Sequence, residues 1–153
     1  MKNNVLRIIS VVAPIVLVAV LGSVFVNLGM DWFNALIKPS QWIPNWVIPV
    51  VWTVIYLTFA IVLLRWSNKE EIQQSTKILL IINGILNILW CLVFFTLKQT
   101  FLGNVVIILN LIFGIALWVN IFLQKKNYVY AIAIYPIWLS IASTLNLAMW
   151  ILN

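Results

Sequence analysis

Residues 78–97 read "ILLIINGILNILWCLVFFTL", twenty residues without a single charge. A helix rises about 1.5 Å per residue, so this block forms a rod about 30 Å long, the thickness of a bilayer's hydrocarbon core. The stretch predicts a membrane-spanning helix. Its few polar residues are also ordered. Asn83, Asn87 and Trp90 fall at i, i+4 and i+7, on one helix face, and Phe94 extends the stripe. An amide turned toward lipid would leave donors and acceptors unpaired, so this face is expected to point into a bundle of helices.

The rest of the chain repeats the pattern. Of 153 residues, 65% are hydrophobic and 8% charged, and the mean hydropathy is +1.12. Nine Lys and Arg and three Asp and Glu are too few to cover a soluble domain of this length. The charge-free blocks predict an all-α integral membrane protein of one domain, 1–153, with spans at about 5–26, 46–65, 77–97, 102–123 and 129–152 and a long loop at 27–45. The N-terminal "MKNNVLRIISVVAPIVLVAVLGSVF" has a signal-peptide outline. Its apolar run, Val5 to about Val26, is long for such a segment and no small-x-small site follows it, so it is read as a retained first span.

The net charge of +6 sits between the apolar blocks, which marks topology rather than nucleic-acid binding. Lys2, Arg7, Arg65, Lys69, Lys77, Lys125 and Lys126 lie on the N-terminal side, and only Lys38 and Lys98 on the other. The positive-inside rule predicts a cytoplasmic N-terminus in a bacterial cell membrane, with the 27–45 loop and the C-terminus outside. No charge lies deep in a span, which argues against a proton pump, a voltage sensor or an ion-coupled carrier. With one cysteine, Cys91, and no histidine, the chain forms no internal disulfide and offers no metal site. No group stands out as a general base or nucleophile for conventional catalysis.

Aromatic residues recur in mid-span. Trp52, Tyr56 and Phe59 share a face of the second span. Trp138, Ala142 and Leu145 share one of the fifth, with Asn146 and Met149 close by. From the rise per residue, Trp52 lies about 9 Å from the loop-side surface, Trp90 about 10 Å, Asn87 about 15 Å, and Asn83 and Trp138 about 20 Å. Converging faces would line one cavity from that surface to mid-membrane, suited to a flat, largely apolar ligand with a few polar edges. The other reading is packing alone. Asn83 and Asn87 would then be interhelical hydrogen-bond partners, like Asn104, Asn110 and Asn120, and Cys91 a packing residue. Trp42, Trp46, Trp66, Trp118 and Trp150, near span ends, read as interfacial anchors.

Three segments, in order, resemble the TspO/MBR family of tryptophan-rich sensory proteins related to the mitochondrial translocator protein. They are "WFNALIKPSQWIPNWVIPVVWTVIY" at 32–56, "LNILWCLVFF" at 86–95 and "YPIWLSIASTLN" at 135–146. The resemblance covers about residues 20–153. It implies a five-transmembrane-helix bundle, a homodimer, and a ligand cavity closed by the first loop. The implied ligands are protoporphyrin IX or a related tetrapyrrole and isoquinoline- or benzodiazepine-type aromatics, with membrane lipid as surroundings and no obligatory cofactor. The family positions carried over are Trp32, Trp52, Asn87, Trp90, Trp138, Ala142 and Asn146; Tyr56 and Asn83 join them as ligand-facing candidates from the stripes. Trp52 and Trp138 match tryptophans tied to ligand contact and to light-dependent porphyrin breakdown. Ala142 matches a small residue that leaves the ligand room. The chain departs from the family pattern at Gln41, with Trp42 displaced by one, and at Ile43, Asn83, Cys91 and Ile141. It also lacks the tyrosine followed by a basic residue after Asn146 that is associated with sterols in animal members. The expected function is a tetrapyrrole-binding sensory or regulatory protein. The alternatives are a porphyrin or lipid carrier and a structural small membrane subunit.

Overall fold

The computed structural model describes the backbone at residues 2–40, 43–124 and 126–153 and the side chains of those residues from Asn4 onward. Gln41, Trp42 and Lys125, on which sequence expectations fall, lie outside the described residues, as does the side chain of Lys2.

Apolar, charge-free sequence becomes helix because backbone groups in lipid must be satisfied within the segment. The elements are α1 (Lys2–Ala35), α2 (Val47–Lys69), α3 (Gln74–Cys91), α4 (Thr100–Leu123), α5 (Val129–Ile132) and α6 (Ile134–Leu152). They supply five helical segments long and apolar enough to cross a membrane, α5 and α6 together making the fifth. No strand occurs among the described residues. The spans form a ring. α1 packs on α2 and α3, α3 on α4, α4 on α6, and the α5–α6 span closes against α2.

Local sequence accounts for the irregularities. Pro136 has no N–H to offer the Ile132 carbonyl, and the fifth span breaks at Ala133 between α5 and α6. Pro49 sits in the first turn of α2, where an N–H would have no intrahelical partner. After Cys91 the helix widens into a π-helical turn, Leu92–Thr96. The Leu97 amide bonds back to the Leu92 carbonyl at 2.9 Å, and Lys98, in the left-handed region at φ 57°, turns the chain toward α4. The wide turn pushes Phe95 against α1, so that a Cβ on Gly29 would collide with the Phe95 backbone. Beside it the Thr96 hydroxyl donates to the Phe25 carbonyl at 2.9 Å.

α1 is longer than the expected span. Residues 27–35, read as the first half of the loop, continue it as helix to Ala35. "NLGMDWFNA" contains no proline, and Phe33 is buried against Phe94 and Phe95. The helix ends where Lys38, just before Pro39, folds back to donate to the Phe33 carbonyl at 3.1 Å. The connection to α2 is therefore only residues 36–46.

The α4–α6 seam holds the driest packing, with Ile107, Leu117, Leu139 and Met149 fully buried. Gly114 keeps this contact close; a Cβ there would lie 2.9 Å from Leu139 Cδ1. The opposite side of α4, including Val105, Ile112 and Ile115, is exposed and faces lipid. At the N-terminal end Trp66 departs from its reading as an interfacial anchor. It is 1% exposed, stacked on Tyr128 at 5.7 Å, because the α5 segment folds over it. Trp46 and Trp150 are exposed, as anchors are. Trp118 ties α4 to α5 through an indole N–H bond to the Val129 carbonyl at 3.1 Å. At the same end Glu70 pairs with Lys126 at 2.6 Å and Glu71 with Lys77 at 2.9 Å. The Lys77 hydrogen bond holds the Glu71 carboxyl below its ordinary pKa.

Candidate ligand site

Among the described residues two cavities lie between the spans, one toward each end. The cavity at the end of the 36–46 connection is built from three spans. α2 contributes Trp52, α3 contributes Trp90, and α6 contributes Trp138, Ala142 and Asn146 at helical spacing, while Phe33 from α1 covers it. Its free volume is about 40 Å³, room for a water and far below the roughly 300–1,000 Å³ of ligand pockets. The rings fill the space themselves. Trp52 lies 6.3 Å from Trp90, and Trp90 stacks on Phe94 at 6.0 Å with a 20° interplanar angle.

A hydrogen-bonded chain holds two of these side chains. The Trp90 indole N–H donates to Asn146 Oδ1 at 3.1 Å, and Asn146 Nδ2 donates to Asn104 Oδ1 at 3.0 Å. The Trp138 indole N–H, by contrast, is buried with no partner, although its ring lines the pocket. A buried donor without an acceptor is costly, and an acceptor carried by a ligand would satisfy it. Nearby, the Tyr135 hydroxyl donates to Asn110 Oδ1 at 3.0 Å.

The second cavity, of about 1,040 Å³, lies between α1, α2 and α3 toward the N-terminal end. Tyr56, Asn83, Asn87 and Tyr135 reach it. Asn87 Nδ2 donates to the Tyr56 hydroxyl at 3.3 Å. Asn83 Nδ2 donates to the carbonyls of Leu79 at 2.8 Å and Phe113 at 3.1 Å.

The single cavity expected from the stripes is therefore divided. Trp52, Trp90, Trp138, Ala142 and Asn146 meet around the loop-end pocket. Tyr56, Asn83 and Asn87 belong to the other cavity. The division follows from ring size. Trp52 stacks on Tyr56 at 5.8 Å and meets Tyr135 edge-on at 6.4 Å, which plugs the channel at that depth. Trp32 lines neither space; it packs edge-on against Phe94 at 5.7 Å. Asn104 has the interhelical role expected of it, joining α4 to α6 as the end of the Trp90–Asn146 chain. Phe33, one of the pocket's covers, was hidden in a stretch read as loop, and its neighbour Trp32 was the only signal for it.

Known proteins resemble this chain along nearly its whole length. The model of the TspO/MBR family matches residues 10–151. Tryptophan-rich protein TspO of Archaeoglobus fulgidus is 30% identical over 152 residues, covering 98% of this chain and 99% of that protein. Tryptophan-rich protein TspO of Chlorobaculum tepidum is 28% identical over 159 residues, 100% and 99% of the two chains. Protein CrtK of Rhodobacter capsulatus is 28% identical over 132 residues, 80% and 78% of the two. With five apolar spans in a ring and an aromatic pocket under the first connection, the chain belongs to the TspO/MBR family of membrane proteins.

Proposed function

We propose that this protein is a membrane-embedded sensory or regulatory protein that binds a tetrapyrrole such as protoporphyrin IX in the loop-end pocket. The observation that carries the reading is the convergence of Trp52, Trp90 and Trp138, from three spans, beside the small Ala142. Indole faces stack on a flat conjugated ring, and Ala142 leaves a gap beside them. The unpartnered Trp138 N–H offers one hydrogen bond to a polar edge of the ligand. On this reading the pocket, whose free volume is about 40 Å³, is the closed form of the site. Binding requires the 36–46 connection to lift and the rings to part, exchanging ring–ring contacts for ring–ligand ones.

In light, the bound pigment would sensitise oxygen and itself be oxidised, dioxygen being reduced, with the Trp52 and Trp138 indoles relaying the electrons and returning to their starting state. The distribution of Lys and Arg supports a cytoplasmic N-terminus.

The test is a titration of the purified protein with protoporphyrin IX, read by quenching of tryptophan fluorescence. Saturable quenching at micromolar pigment is expected. Losing one aromatic contact of about 1 kcal/mol weakens binding about fivefold, so Trp52→Phe and Trp138→Phe are each expected to raise Kd by that factor. Trp138→Phe removes an N–H that bonds nothing in the protein but also leaves a gap where the buried indole stood, so thermal stability is expected to fall by no more than about 1–2 kcal/mol. Under illumination both variants are expected to slow pigment decay. Non-saturable quenching, or decay unchanged in both variants, would overturn the reading.

A further inference from the structure

The geometry points to the large cavity between α1, α2 and α3 as a site for one phospholipid of the leaflet at the N-terminal end, its acyl chain inside the protein and its zwitterionic headgroup at the rim. This inference does not rest on the tetrapyrrole reading, which concerns the other end of the ring.

Three observations carry it. The first is the wall. Ile15 and Val18 on α1, Phe59 and Leu63 on α2, and Leu80 and Ile88 on α3 surround the space. Its amide donors are engaged by protein: Asn87 Nδ2 is bonded to Tyr56 and Asn83 Nδ2 to the Leu79 and Phe113 carbonyls, while Asn83 Oδ1 is buried without a hydrogen-bond partner. Such a wall holds hydrocarbon better than water. The second is access. Leu17, Ile81 and Ile85 border the cavity and are 57%, 62% and 58% exposed, so it opens sideways between α1 and α3 into the bilayer interior. The third is the match of length and charge. From Lys77 at the rim to Asn87 at the floor α3 rises about 15 Å, one leaflet's share of a 30 Å hydrocarbon core. The rim carries both signs: Lys69, the exposed Lys77–Glu71 pair and Glu70, which is bonded to Lys126. Lys69 suits a phosphate directly, and a zwitterionic headgroup can share the two existing pairs, its phosphate with the lysines and its ammonium with the glutamates. A chain drawn from the leaflet would thus bring its headgroup to the charged rim without leaving its own depth.

The test is photolabelling in nanodiscs of phosphatidylcholine doped with a phosphatidylcholine bearing a diazirine midway along one acyl chain, with labelled residues located by peptide mapping. Label is expected on Phe59 and Leu63, each 8% exposed and out of reach of lipid that stays outside the ring. Label confined to outward residues such as Ile81 and Ile85 would overturn the proposal. Ile15→Trp fills the space from α1 and is expected to cut label at Phe59 and Leu63 at least about fivefold, or about 1 kcal/mol of occupancy. Label at Ile112 and Ile115 on α4 should not change. Val11→Phe on the same wall serves if the first variant fails to fold, and undiminished label in a folded variant would overturn the proposal. A diazirine fatty acid of equal chain length, lacking the phosphate head, is expected to label Phe59 and Leu63 at least about fivefold less. Equal labelling would overturn the assignment to a phospholipid. The protoporphyrin Kd is expected to be unaffected by Val11→Phe, which adds no tryptophan to the fluorescence signal, so the two readings fail separately.

Discussion

Asn146 stands between Trp90 and Asn104, accepting from one and donating to the other. All three are buried, so no water or lipid headgroup can replace the lost partner. Asn146→Ala strands the Trp90 N–H and the Asn104 carbonyl oxygen together. Interhelical hydrogen bonds within membranes contribute about 0.6 kcal/mol on average, and a stranded buried group costs about 1–3 kcal/mol. The variant is expected to lose about 1–2 kcal/mol of stability, measured by reversible unfolding in mixed micelles. Porphyrin affinity should fall as well, because the Trp90 ring loses its tether. The helical spacing showed which way Asn146, Trp90 and Trp138 face. It did not show that Trp90 is tethered while Trp138 is not, since hydrogen-bond partners come from helices distant in sequence.

Among the elements, α1 and the π-helical turn after α3 show how one glycine sets an interface. Gly29 lies so close to Phe95 that a methyl group has no room, and the obstacle is rigid backbone. Gly22, two turns earlier, would place a Cβ 3.4 Å from Cys91 Sγ, an ordinary contact. Gly29→Ala is expected to cost about 1–3 kcal/mol by overpacking. Gly22→Ala is expected to be neutral or to add up to about 1 kcal/mol through helix propensity. A shared loss would mean that α1 does not pack as described; comparing the unfolding of both variants decides it. The connection after α1 has its own fastening. Asn153 Oδ1 accepts from the Ile37 amide at 2.9 Å, and its Nδ2 donates to the Ile37 carbonyl at 3.1 Å. This amide–peptide pair ties Ile37 of the connection to the end of α6. The pair is exposed and worth about 1 kcal/mol in all, so Asn153→Ala is expected to raise the open population and the porphyrin association rate about fivefold. Stopped-flow quenching measures it, and an unchanged rate would show that the pair does not gate access.

In the molecule as a whole, α1 is the most exposed member of the ring. Only 11% of its most apolar window is buried, against 39% for the third and fifth spans. Near its start, Arg7 donates to the Leu64 carbonyl at 2.8 Å and to the Ser67 hydroxyl at 3.3 Å, closing the last turn of α2. Gly29 and the Thr96–Phe25 bond hold it at the far end. Between these clasps lies the large cavity. A hydrogen bond from a charged donor contributes about 1.5–3 kcal/mol, so Arg7→Ala is expected to speed amide exchange in residues 8–20 about tenfold or more. Exchange in α4 and α6 should not change; equal acceleration throughout would mean that the ring unfolds as one unit.

Length and hydropathy by themselves determined that the chain lives in a membrane and crosses it five times, because a charge-free block of twenty residues has no other stable environment. Periodicity determined which faces turn inward, since an amide in hydrocarbon must find a partner. The order of motifs carried the family resemblance. Only the tertiary structure decided that the inward faces line two separate cavities rather than one, that Trp66 is core rather than anchor, and that 27–35 is helix. The physical reason is common to all three. Spacing along one helix sets direction and depth. Whether two rings meet, as Trp52 and Tyr135 do, depends on the distance between spans, which is fixed by contacts such as Gly29 against Phe95 and Gly114 against Leu139.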